Sequence, residues 1–168
     1  KSWKSHYSLT LELYTLTNEV AYLCVDLEAS EATAAAILEN ARSRGDKIPV
    51  YAKRLRFYDV HNQAKEAITD GVAVLSELGF PLSESAPPDL DMKELSRLPL
   101  MTDTHAVFAM EILIEQLVAT FMIRPDLFPR VIFSVLHIMS KHGLHPASGV
   151  VVCMYGSLLW SDDIDSAY

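Results

Sequence analysis

Residues 9–23 read LTLELYTLTNEVAYL, and within them Leu9, Leu13, Leu16, Val20 and Leu23 step by four, three, four and three residues. At 3.6 residues per turn this spacing lays five aliphatic side chains along one face of a helix. Tyr7, Tyr14, Ala21 and Cys24 widen the stripe. A face of this kind ordinarily buries itself against a neighbouring helix, so the stretch predicts a helix packed through its leucines.

The same reading extends outward. After the polar break at Asp26, a second helix is predicted over about 28–44, small-sided because Ala29, Ala32, Ala34, Ala35, Ala36 and Ala41 fall within it. Alanine favours helix and lets another helix approach closely, and Gly45 supplies a C-terminal stop. Pro49 suits the first turn of a third helix carrying Tyr51, Leu55 and Tyr58. His61-Asn62-Gln63 breaks it, and a fourth helix over about 64–78 ends at Gly79. Helix, short break, helix thus occurs twice at a period of roughly 36 residues, near the length of a tetratricopeptide unit.

Beyond Gly79 the composition changes. Pro81, Ser83, Ser85, Pro87 and Pro88 mark a linker, with room for a short helix between Asp91 and Leu98. Thr102 or Asp103 offers an N-cap for an apolar helix through about Phe121. Pro125 opens the next helix and Gly143 closes it, with Pro129 either inside its first turn or shortening it. Pro146 starts a run through Trp160, and Asp162-Asp163 looks like the start of a further helix. Val150–Cys153 could be a strand on β-branching alone, but its flanks favour helix. The expected fold is all-α, with antiparallel helix pairs stacked as a degenerate tetratricopeptide-like superhelix. Its expected organisation is two helix pairs over 1–79, a Pro/Ser-rich linker over 80–101, and a further pair plus a truncated pair over 102–168.

Composition narrows the function. Half of the 168 residues are hydrophobic and 21% are charged, with 14 Lys and Arg against 22 Asp and Glu for a net charge of −8. That is a globular balance, and its acidity argues against nucleic acid or an anionic membrane as partner. Cys24 and Cys153, without CxxC spacing, read as small buried hydrophobes in a reducing cytosol. The apolar stretch from Ala106 to Ile123 is interrupted by Glu111, Glu115 and Gln116, costly inside a bilayer. With Lys1 first and no signal-peptide pattern after it, the expectation is a segment of a larger cytoplasmic protein.

Four stretches carry a family likeness. Ala21-Tyr22-Leu23-Cys24-Val25-Asp26-Leu27-Glu28 resembles the turn "AAYLSGDFE". Asp46-Lys47, Val50-Tyr51, Tyr58, Asn62-Gln63 and Glu66-Ala67-Ile68 resemble "DK..VYE…Y…NQ…EAI". Leu98-Pro99-Leu100-Met101-Thr102-Asp103 is similar to "LPPMTDP", and Arg124-Pro125-Asp126-Leu127-Phe128-Pro129 to "NPELFP", followed by Lys141-His142-Gly143, Ser148 and Tyr155-Gly156. Together they resemble the helical-repeat region of multi-sensor signal-transduction proteins. Those proteins join a STAND-type ATPase, often after a Ser/Thr-kinase-like domain, to GAF or PAS sensors and a histidine kinase. Val25 stands where the family has glycine, and Thr104 where it has proline. The resemblance implies a non-catalytic scaffold that contacts other domains of its own polypeptide or a signalling partner.

A search for chemistry fits that expectation. The chain has no GxxxxGK[ST], no GxSxG, no HExxH, and no histidine followed by an acidic residue. No catalytic, cofactor or metal site is expected. His137, His142 and His145 lack ligand spacing, and Glu111 and Glu115 read as a solvent edge or a partner-facing groove. Arg42, Arg44, Lys47, Lys53 and Arg56, with Arg54 among them, concentrate basic charge in an acidic chain. They are the candidate partner-binding residues, weighed against a solvated surface whose ion pairs are each worth about 0–1 kcal/mol. The alternative function is a free-standing small-molecule regulator whose pocket Phe108, Met110, Phe121, Met122 and Phe133 would line. A last apolar helix without a pairing partner also predicts self-association.

Overall fold

The computed structural model describes residues 2–61, 63–88 and 91–165, and among them every regular element is a helix. The chain forms two compact units, Lys1–His61 and Asn62–Tyr168.

In the first unit α1 (Ser2–Ser5) leads into α2 (Tyr7–Leu23), α3 (Leu27–Asn40) and, after a 3-10 turn at Gly45–Lys47, α4 (Ile48–Val60). Asp26 caps α3 by accepting from the Ala29 amide at 3.1 Å. Between α2 and α3 the chain turns through Val25 at φ +60°, with the Asp26 N–H reaching back to the Ala21 carbonyl at 2.9 Å. That is the left-handed position usually given to glycine, and here a β-branched residue fills it.

Helix α3 ends at Asn40, four residues before the sequence suggests, for a reason that lies in Asp46. Its carboxylate accepts from the amides of Arg42 at 3.1 Å and Ser43 at 3.0 Å, and also from the Tyr7 hydroxyl. These bonds draw residues 42–46 into a compact turn instead of another helical turn.

The second unit contains α5 (Ala64–Leu78), α6 (Met92–Leu95), α7 (Thr104–Ile123), α8 (Phe128–His142) and α9 (Ser148–Asp165). Asn62, part of the break expected before α5, lies outside the described residues. Gly79 ends α5 at φ +94°, and Phe80 N–H returns to the Leu75 carbonyl at 2.8 Å. Helix α7 is central, packing on α5 and α8. By length and composition it could cross a membrane, but half of that stretch is buried inside the protein. Ala109, Met110 and Leu113 on α7, Leu75 on α5, and Val131 and Leu136 on α8 are all fully buried.

Two boundaries of the second unit also differ from the sequence reading. Helix α8 opens at Phe128, not Pro125, because Arg124 grips Asp126 through two bonds of 2.8 and 2.7 Å in a turn. Pro129, lacking an N–H, then fits the first helical turn. Helix α9 runs unbroken to Asp165, since no Gly or Pro interrupts it after Gly156. Val150–Cys153 lies inside it as helix. Both cysteines, expected to be buried, are exposed.

The loop after α5 is held on α8. Ser83 N–H donates to Ser134 Oγ at 2.7 Å, Arg130 pairs with Glu84 at 2.7 Å, and His137 Nε2 lies 3.1 Å from the Ser85 carbonyl. Further along, Leu144 N–H donates to the Pro99 carbonyl at 2.8 Å, and Met101 N–H to the Leu144 carbonyl at 2.9 Å.

Candidate interaction surface

The leucine stripe of α2 does not face the core. Leu9, Leu13, Leu16, Val20 and Leu23 are between 52% and 72% exposed, whereas Thr10, Asn18 and Ala21 are buried, Asn18 against α3. At about 100° per residue the two sets centre roughly 130° apart around the helix. The packed side is polar at its heart. Asn18 Nδ2 donates to the Ser30 carbonyl at 2.7 Å and lies 3.2 Å from Ser30 Oγ and 3.1 Å from Thr33 Oγ1. Thr33 Oγ1 in turn donates to the Ala29 carbonyl at 2.7 Å. These bonds satisfy a buried amide that would be costly unpaired, and they leave the leucines in solvent.

Leu27 and Val25 extend the exposed apolar surface past the end of α2. Glu12 and Glu19 border the stripe on one side; Thr17 and Cys24, also exposed, border it on the other. A contiguous line of large aliphatics with a polar rim is the usual form of a protein contact surface.

Of the basic residues singled out in the sequence, Arg42 and Lys53 have defined local contacts. Arg42 stacks over the Tyr7 ring at 4.0 Å and donates to the Trp3 carbonyl at 3.1 Å. Trp3 in turn packs on Tyr7 and Tyr14, with ring centroids 5.9 and 5.0 Å apart. Arg42 is thus a fastener between the start of α2 and the end of α3. Arg44 and Lys47 are also engaged within the protein, and Arg56 is exposed.

Lys53 lies 3.4 Å from the Thr15 carbonyl and 3.9 Å from Glu19. Its ammonium is pushed below the usual lysine value by burial, which outweighs the attraction of Glu19. It opens onto a cleft of about 250 Å³ lined by Asn18, Tyr22, Leu27, Phe57 and Tyr58 among others.

Compared with protein-family models, curated proteins and solved structures, the chain matches none. The surface must therefore be read from its own chemistry. In the second unit, His137, His142 and His145 turn to separate partners: the Ser85 carbonyl, the Asp103 carboxylate and the Ala147 amide. Glu111 and Glu115 are exposed on α7. Phe108 and Met110 are buried, Phe121 and Met122 stand in solvent, and Phe133 is half-buried. These five residues therefore do not converge on one cavity. The loop over α8 leaves two open grooves of about 460 and 480 Å³, both lined by His137 and Lys141.

Sequence reasoning identified the stripe but assigned it to the core. The signal that could have reversed that assignment is Asn18, whose amide falls opposite the leucines and matches the hydroxyls of Ser30 and Thr33.

Proposed function

We propose that the chain is a non-catalytic scaffold of stacked, tetratricopeptide-like helix pairs that makes protein–protein contacts through the outer face of α2. The observation that carries this reading is the exposed line from Leu9 to Leu23. Taking a large aliphatic from full exposure to full burial is worth about 1.5–3 kcal/mol, and these five, each more than half exposed, have over half of that still to gain from a partner that covers them.

The setting, interdomain contact within a cytoplasmic ATPase and sensor-kinase protein, rests on the four sequence stretches. Two features support that resemblance. Val25 occupies a left-handed turn where the family has glycine. The Leu98–Asp103 and Lys141–Gly143 stretches, distant in sequence, meet where His142 Nδ1 lies 3.2 Å from Asp103 Oδ2.

The test is a photo-crosslinking amino acid at position 16 of the native polypeptide, in its own cells. Adducts to another protein, or to a distant part of the same polypeptide, are expected from position 16 and not from Glu39, exposed on α3. Equal yields at the two positions would remove the reading.

A further inference from the structure

The exposed stripe has a more specific geometry than a hydrophobic patch. Its steps of four, three, four and three average 3.5 residues, the period at which a seam stays facing a partner helix along a left-handed supercoil. In heptad terms Leu13 and Val20 occupy the a positions, and Leu9, Leu16 and Leu23 the d positions. Leucine at d with a β-branched residue at an a position suits two parallel strands. Glu12 and Glu19 are then g positions and Thr17 and Cys24 the exposed e positions, while Thr10, the e position after Leu9, is buried in the chain's own fold.

We infer that the outer face of α2 pairs with the same face of a second copy of this chain, in parallel and in register. This rests on the contact-surface reading above and names its occupant. The border charges select the orientation. In the parallel arrangement Glu12 meets Thr17 of the second copy and Glu19 meets its Cys24, so no like charges oppose. In the antiparallel arrangement about Leu16, Glu12 of each copy would face Glu19 of the other, a repulsive pair made twice. The pairing is self-complementary about a two-fold axis.

Two heptads are too short for an isolated coiled coil, but α2 is already held helical by α3, so little ordering remains to be done on association. The packed side of the helix lies away from the stripe, leaving the seam open to approach. Two such stripes with their rims bring roughly 1,000 Å² out of water, the lower bound for a specific interface. The dimer is accordingly weak, with a Kd on the order of 10 μM.

The experiment uses the whole chain. Light scattering at about 5 and about 100 μM should show mass rising from one chain toward two. Leu13→Glu with Val20→Glu should stay monomeric at both concentrations with an unchanged helical circular dichroism spectrum. Should that variant lose helix, Leu16→Lys replaces it. Orientation is read from Leu9→Cys in a Cys24→Ser, Cys153→Ser background, because parallel d positions bring the two thiols within disulfide reach. A disulfide-linked dimer under mild oxidation is expected. A chain monomeric at the higher concentration, or a dimer that Leu9→Cys does not crosslink, overturns the inference. A monomer whose position 16 still forms adducts in cells overturns self-pairing alone and leaves the scaffold reading in place.

Discussion

His142 Nδ1 lies 3.2 Å from Asp103 Oδ2, so the last residue of α8 touches the residue that caps α7. The other Asp103 oxygen accepts from the His105 amide at 2.9 Å and the Ala106 amide at 3.4 Å. One carboxylate thereby serves the start of one helix and the end of the next. Beside it, Gly143 stands at φ +103° with the Pro99 carbonyl 2.4 Å from where a Cβ would be. Neither requirement admits another residue without movement.

Gly143→Ala should therefore lower the stability of the second unit by about 2–3 kcal/mol, from backbone strain and the displaced Pro99 segment. Gly156→Ala is the control, since a Cβ there meets nothing within 4 Å. Within α9 it should stabilise by up to about 1 kcal/mol. Urea midpoints measure both. An unchanged midpoint for Gly143→Ala would contradict the described turn.

Gly71 serves a different need. A Cβ there would lie 1.6 Å from Gln116 Nε2, which donates to the Ala67 carbonyl at 3.0 Å. Gln116 is buried, and its Oε1 is without a partner. Gly71→Ala should cost about 1–3 kcal/mol by expelling that amide. In a Gln116→Ala background the same change should be neutral or favourable, giving a coupling energy above about 1 kcal/mol. Additive effects would show that the two residues do not share the space.

Val25 carries strain with little packing to offset it, being 76% exposed at φ +60°. Val25→Gly should raise the stability of the first unit by about 1 kcal/mol, measured by thermal or urea unfolding. Loss of stability would mean that the valine side chain has contacts the structure does not give it.

Asp46 gives the first unit an acid-side dependence. Burial alone would push its carboxyl up, but the donors Tyr7, Ser43 and Arg42 outweigh it and hold the group below the ordinary aspartate value. The folded chain then gives up this proton more readily than the unfolded one. Its contribution is complete above the ordinary aspartate range and is lost as pH falls through that range toward the depressed folded value. Tyr7→Phe should cost about 1 kcal/mol at neutral pH and shrink that acid-side slope. An identical slope in wild type and variant would contradict the Tyr7–Asp46 bond.

Much of the fold was legible because helix ends are written in single residues. Asp26, Gly79, Asp103 and Gly143 each do at a terminus what their chemistry allows. Which face of α2 turns inward was not legible from periodicity, which ranks faces by hydrophobicity alone. Asn18, Ser30 and Thr33 form a hydrogen-bonded interface that such a ranking counts as exterior. The basic cluster was visible as composition, but the use of Arg42 on Tyr7 and Trp3 depends on residues 35 or more positions away, brought close only by folding.

Self-pairing through α2 must also work against charge, since each copy carries a net −8. Raising salt from about 0.1 to about 1 M shortens the screening length from about 10 to about 3 Å. The dimer fraction seen by sedimentation should rise with salt. A fall would mean that ion pairs, not the leucine seam, hold the copies together.

The α2 stripe is a surface and not part of the core, and urea unfolding of the Leu13→Glu, Val20→Glu chain in the low-micromolar range tests that most directly. Because both side chains are more than half exposed, the unfolding free energy should stay within about 0.5 kcal/mol of wild type. A loss of several kcal/mol, as expected for charges forced into a packed interior, would place the stripe in the core and contradict the account.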